Sequence, residues 1–365
     1  MTIRTPRTTA AALGVVALLP LLAACGGDDA GEQPGGSPSS DGAAGELSGT
    51  VTLVTHDSFA LSDGLLASFE ESSGLTVEHV AVGDAGTLVN QLVLTADSPL
   101  GDVVFGIDNT FASRAVGAGV FEAYQPEDLD PAAGALAGDG LEALTPIDQG
   151  DVCVNVDTAW FEQQDVEAPT TFEDLLDPAY QDLTVVPNPA TSSPGFAMLL
   201  ATIDALGEDG WEQYWSALAD NGLKVTEGWS DAYYADFSGA GEGGERPIVL
   251  SYATSPAFTV TEDGSESTTA ALLDTCFRQV EYAGVLAGTD NPDGARALVD
   301  FLASADVQAD VPGSMYMYPA DPQTALPAEW EQFAPLAAEP FDVAPAEIDA
   351  HRDEWIQRWT ATVIG

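Results

Sequence analysis

The sequence predicts a two-lobed α/β fold with a cleft between the lobes. Three observations carry that expectation. Strand-like and helix-like runs alternate along the chain, the pattern shifts near residues 150 and 280, and the folded part is about 315 residues long, more than one core usually holds. Alternation of this kind builds a largely parallel sheet covered by helices.

The first segment is read as an export signal. Arg4 and Arg7 precede an apolar run from Ala10 to Ala24 that is short for a membrane span. It ends in Leu22-Ala23-Ala24-Cys25, which resembles a bacterial lipoprotein cleavage box. That resemblance implies a signal peptide over 1–24, a diacylated Cys25, and anchorage at the outer face of the cell membrane. Residues 25–48 are rich in Gly, Asp, Ser and Pro with few large apolar side chains, the composition of a flexible tether.

Beyond it, "GTVTLVTHDS" is a β-branched strand and "LSDGLLASFEESSG" a helix, with Leu65, Leu66 and Phe69 at helical spacing and Gly74 as its stop. "LTVEHVAV" and "GDVVFGID" read as strands, "GTLVNQLVLTA" and "TFASRAVGAGVF" as helices. A second set follows. "DVCVNVDTAWF" is strand-like, "TFEDLLDPAY" helical, "LTVVPN" a strand, and "TSSPGFAMLLATIDALG" a helix capped by Ser192 or Ser193 with Pro194 in its first turn. A helix from Gly210 to Leu218 and the strand "PIVLSYA" complete the set. From "CFRQVEYAGVL" onward two helices, "NPDGARALVDFLAS" and "PAEIDAHRDEWIQRWTATV", are expected to return to the first lobe. The expected division is 49–150 plus 280–365 for lobe one and 151–279 for lobe two. The two crossings hold Cys153 and Cys276, a natural disulfide pair in an exported chain; a reactive thiol is the other use, although none of His56, His79 and His351 is near either cysteine in sequence.

Charge narrows the function. Nine Lys and Arg stand against 59 Asp and Glu, a net charge of −50. No basic set exists to neutralise phosphates along a nucleic acid. Most of these acids serve solubility, and their field also favours a cationic ligand.

Ligands in open α/β sheets sit beyond the carboxyl ends of strands. His56, Asp57 and Ser58 follow the first strand, Asp84 the second, Asp108 and Asn109 the third. Each alone serves equally as a turn or cap residue; three sets in one topological position point to a site. His79, inside a strand pattern, is read as structural. "NPATSSPG" leads into a helix whose free N–H groups offer an anion site at Thr191, Ser192 and Ser193, or simply a capped helix, and "SYATSPAF" places Tyr252, Ser255 as a cap, and Phe258 in a similar loop. In "VTEGWSDAYY", Ser230 reads as an N-cap with Asp231 at the positive helix end. Trp229 and Tyr233 are then expected to face the cleft and Tyr234 the core. Aromatic faces beside carboxylates suit a flat cation.

The stretches "DSFA", "GDVVFGIDN", "TSSPG", "GWSDAYY", "LSYATSPAF", "MYMYPA" and "RDEWIQRWT" resemble the thiamine-binding proteins of bacterial ABC importers. They run in order from about residue 51 to 360. The resemblance implies a monomeric type II periplasmic-binding-protein fold with two hinge crossings, no cofactor, and delivery of thiamine or its phosphates to a permease. It also implies that Trp229, Tyr252 and Phe258 pack on the ligand rings and that Asp84 meets the ring cation or amino group. Ser192 and Ser193 would meet the hydroxyethyl or phosphate end, and Tyr316 would close the pocket. The family pattern has Tyr where His56 and Phe258 stand and Trp where Tyr316 stands. Two alternatives share the fold: a ferric-iron-binding protein using Tyr233 and Tyr234, against which Trp229 and Phe258 have no role at a metal, and a thiaminase-like transferase using a reduced Cys153.

Overall fold

The computed structural model describes residues 47–240 and 243–365; the segment expected to be an export signal, Cys25 and the expected tether through residue 46 lie outside the described residues. The first βα units are β1 (Gly49–Thr55), α1 (Leu65–Ser73), β2 (Leu75–Ala81), α2 (Ala85–Leu94), β3 (Val103–Asp108) and α3 (Ala112–Gly117). α1 stops where expected: Gly74 takes φ 78° and returns its N–H to Glu70 O, a conformation that carries no Cβ penalty at glycine. β1 lies between β2 and β3 and is parallel to both, so Val51, Leu53 and Val54 are fully buried.

After the short α4 (Pro131–Gly134), the long strand β4 (Thr145–Asp157) leads into α5 (Thr158–Gln164), β5 (Thr184–Pro187), α6 (Ser193–Leu206), α7 (Trp211–Asp220), β6 (Lys224–Thr226), β7 (Ile248–Tyr252), β8 (Thr269–Ala271) and β9 (Phe277–Val285). The segment "TFEDLLDPAY" does not form the expected helix but two 3-10 turns, Glu173–Leu176 and Pro178–Tyr180. The Asp174 carboxylate accepts from the N–H groups of Thr170 and Thr171, a local competitor to the helical ladder, and Pro178 cannot continue one.

The strands run in the order β2-β1-β3-β9-β4-β7-β5-β6, with β8 added to β4. β4 pairs with β9 through Thr145–Val152 and with β7 through Val152–Val156. One strand therefore belongs to both halves, changing partners at Val152. Cys153, the next residue, is disulfide-bonded to Cys276, which directly precedes β9. The bridge ties the crossing strands at the point where the sheet changes halves, and it leaves neither sulfur as a thiolate nucleophile.

The chain ends with α8 (Pro292–Leu302), α9 (Ala305–Ser314), β10 (Tyr318–Pro319), α10 (Trp330–Phe333) and α11 (Pro345–Val363). α8 stays on the first half, its Leu298, Val299 and Leu302 sharing a core with Val51 and Leu53. α11 is not confined there. Trp359 meets Trp215 of α7 edge-on at 5.5 Å, and the Arg352 guanidinium lies 4.6 Å above Phe111, next to α3. The helix straddles the halves because its aromatic and cationic side chains find ring partners on both.

Candidate functional site

A cavity of about 380 Å³ lies among the strand-end loops, within the range of small-molecule pockets. The turn after β1 supplies His56, Asp57, Ser58 and Phe59 to its lining. Ser58 N–H donates to His56 Nδ1 at 3.1 Å, which places the proton of the neutral ring on Nε2. That nitrogen faces Glu281 Oε1 at 3.7 Å. Burial alone would lower the imidazole pKa, but the neighbouring Glu281, Asp84 and Asp57 carboxylates outweigh it and raise it. His79 lies outside the lining and is within 2.8 Å of Thr55 Oγ1, consistent with a structural use.

Asp84 caps α2 and lines the cavity. Its Oδ1 accepts from Ala85 N–H at 2.6 Å and Ser193 N–H at 3.2 Å, and its Oδ2 accepts from Trp229 N–H at 2.9 Å. Burial raises the carboxyl pKa while these bonds oppose the rise. Two of the donors come from the other half of the protein. Further ties cross beside it: Thr87 N–H donates to Thr191 O at 3.0 Å, and the Ser58 and Ser230 hydroxyls are 3.2 Å apart. The two halves are therefore hydrogen-bonded to each other across the cleft in this structure.

At the start of α6 the two serines separate. Ser193 lines the cavity, whereas Ser192 is fully buried as the N-cap, its Oγ accepting from Gly195 N–H at 3.5 Å. Asp108 is also brought close without lining the cavity. It is fully buried, and its Oδ1 accepts from the Thr110 hydroxyl at 2.7 Å and from the N–H groups of Thr110 and Phe111. Burial pushes its carboxyl up to about 7.

The aromatic wall comes mainly from the second half. Trp229 is held by an Nε1–H bond to Ser251 Oγ at 3.0 Å and stacks on Tyr233, with centroids 5.0 Å apart and planes 14° apart. Tyr252 meets Trp229 edge-on at 6.1 Å. Phe258 is exposed and is met edge-on at 5.3 Å by Tyr316 from the returning segment. All five line the cavity.

Three local expectations are corrected. Tyr234 is not core: it is 42% exposed and lines the cavity, while Tyr233 is 2% exposed and acts as the backing plate of Trp229. Ser230 makes no cap bond, because it already has helical dihedrals and Asp231–Asp236 is a π-helical turn. Phe237 N–H bonds five residues back to Ala232 O, so the wider turn changes the direction of both tyrosines from that expected of an α-helix. Ser255 likewise caps nothing; its Oγ accepts from Tyr252 N–H at 3.2 Å.

Sequence reasoning missed Tyr234, Glu281, Phe59, Met315 and Met317 in the lining. Glu281 did leave a signal. It interrupts the otherwise apolar "VEYAGV" of β9, a position where an unpaired charge is costly.

Residues 98–337 match the family described as bacterial extracellular solute-binding protein. The chain belongs to the bacterial extracellular solute-binding proteins. A curated relative, the thiamine-binding periplasmic protein of Escherichia coli, is 30% identical over 318 residues, covering 86% of this chain and 93% of the relative. Among solved structures, a periplasmic thiamin binding protein superposes with a TM-score of 0.75 at 28% identity, covering 86% of this chain and 96% of the other. Iron-bound HitA from Pseudomonas aeruginosa superposes with a TM-score of 0.65 at 20% identity, covering 86% and 99%, and shares the fold alone. This solute-binding protein thus has the type II periplasmic-binding-protein fold, in which two lobes enclose a cleft.

The chemistry of its cleft disfavours the iron alternative. A tyrosine binds ferric ion as phenolate, and burial raises the pKa of both Tyr233 and Tyr234. Tyr233 Oη is buried with no hydrogen-bond partner, and its ring is committed to Trp229. The transferase alternative loses its nucleophile to the Cys153–Cys276 bond.

Proposed function

We propose that this protein captures thiamine or a thiamine phosphate between its lobes and delivers it to the permease of an ABC importer. One observation carries the reading. The cavity is walled by Trp229, Tyr233, Tyr234, Tyr252, Phe258 and Tyr316, and carries carboxylates with no Lys or Arg among its described lining residues. Stacking and cation–π contacts each contribute about 0.5–2 kcal/mol toward a flat cation once water is excluded. Relatives named for thiamine binding support the same ligand.

In this reading, residues 49–150 with 280–365 act as one lobe and 151–279 as the other, with α11 packing on both. The protein works as a monomer without a cofactor. A lipid on Cys25 holds it at the outer face of the cell membrane, the tether giving it reach to the permease. The support for that anchorage is the Leu22-Ala23-Ala24-Cys25 box and the composition that follows it.

The test is a titration of the purified protein with thiamine, its monophosphate and its diphosphate, followed by tryptophan fluorescence. Quenching is expected, and Trp229→Ala should lose most of it together with affinity. Absence of a signal with all three ligands, confirmed by calorimetry, would sink the assignment.

A further inference from the structure

Among the described residues, four with a carboxyl or imidazole side chain line the cavity: His56, Asp57, Asp84 and Glu281. Asp57 is exposed, so water screens it. Asp84 has both oxygens committed to backbone N–H donors, two of them across the cleft. Glu281 is different. Its side chain is 7% exposed and lines the cavity; Gln279 Nε2 at 3.1 Å and His56 Nε2 at 3.7 Å address Oε1, and the Asp148 carboxyl lies within hydrogen-bond reach of the same side chain. No N–H donor among the described residues is bonded to its other oxygen.

The sheet explains how a carboxylate is kept there. Glu281 of β9 is the register partner of Asp108 on β3 and of Asp148 on β4. Register partners project from the same face, so three carboxyl groups form a row across adjacent strands at the foot of the cavity. Asp108 and Asp148 are fully buried, and both Asp148 oxygens and Asp108 Oδ2 lack a donor. A buried carboxyl oxygen without a donor favours the protonated form, in which it becomes a donor itself; this holds for both oxygens of Asp148 and for one of Asp108. Burial, and after it the Glu281 charge, raises the Asp148 pKa. The row therefore sets two fully buried acids, in which burial favours the protonated form, beside a third that reaches the cavity.

We infer that Glu281 is the specificity-determining carboxylate of the site, the counter-ion that receives the cationic ring of the ligand. The inference rests on the reading that the ligand is a thiamine-class cation. It assigns Asp84 to holding the lobes together and Glu281 to selecting charge. Asp148 is a positioning residue that acts through Glu281 and does not reach the ligand.

The test compares thiamine with thiochrome, its uncharged tricyclic oxidation product, by equilibrium dialysis. The parent should prefer thiamine by about tenfold or more. Glu281→Gln keeps the shape and removes the charge, so the preference should fall below about threefold, mainly through weaker thiamine binding. Glu281→Asp keeps the charge one methylene further back and should retain a preference for thiamine; it also answers the question if the glutamine variant does not fold. An unchanged preference in Glu281→Gln overturns the inference, and so does equal binding of both ligands by Glu281→Asp or by the parent. A parent that binds no thiamine at all defeats the functional reading itself, which is a separate outcome.

Discussion

Trp229 N–H donates to Asp84 Oδ2 at 2.9 Å across 145 residues of chain. This bond, with the one from Ser193 N–H to Asp84 Oδ1, makes a single carboxylate the clasp between the lobes. Hydrogen bonds to a charged acceptor contribute about 1.5–3 kcal/mol. Asp84→Ala should therefore weaken thiamine binding about 10- to 100-fold, and small-angle scattering should show a more open particle at equal ligand occupancy. Unchanged affinity and radius of gyration would remove Asp84 from the closing mechanism.

The Cys153–Cys276 disulfide closes a loop of 123 residues between the crossing strands. Native disulfides contribute about 2–5 kcal/mol, so the Cys153→Ala/Cys276→Ala double variant should melt several degrees lower. A non-reducing peptide map should recover the two cysteines as one linked pair. An alkylatable Cys153 in the untreated protein would contradict the structure and reopen the transferase reading.

What could be read from the sequence follows physical range. α1, α2, α6, α8 and α11 were legible because spacing and caps are local signals, and Gly74 and Ser192 stop and start helices where expected. Residues 173–180 were misread because Asp174 and its threonine donors compete within the same few residues. In the site, Trp229, Tyr252 and Phe258 stood out as aromatics in strand-end loops. Tyr234 was misassigned because nothing local announces a π turn at Asp231–Asp236. The row Asp108–Glu281–Asp148 was out of reach, since it exists only through the register of three strands distant in sequence. The straddling of α11 was hidden for the same reason: its ring partners Trp215 and Phe111 lie far upstream.

Asp108 makes stability depend on pH. Its folded pKa, about 7, lies above the ordinary 3.8 because the group is buried. An acid raised on folding contributes stability fully below its unfolded pKa and loses it as pH rises through the folded value. The window here runs from about pH 4 to pH 7. Asp108→Asn keeps an Oδ1 acceptor for Thr110 and Phe111 while removing the titration. Between pH 5 and pH 8 the Tm of the variant should fall less than that of the parent. Parallel Tm curves would show that Asp108 does not titrate in this range.

Tyr316 holds φ 54° at the mouth of the cavity, in the left-handed region that is uncommon for an aromatic residue. That conformation costs roughly 1–2 kcal/mol for a residue with a Cβ, and it aims the ring edge-on at Phe258. Strain and ring contact can be separated by comparing two truncations. Tyr316→Ala and Tyr316→Gly both lose the ring and should lose thiamine affinity alike. In an ordinary loop the glycine variant would be the less stable, by about 0.4–1 kcal/mol. Here the order should reverse, with glycine more stable by about 1 kcal/mol, because it alone adopts the left-handed backbone without strain. Chemical denaturation of the two variants decides it. An alanine variant at least as stable as the glycine variant would mean that the backbone at Tyr316 carries no strain for the pocket to use.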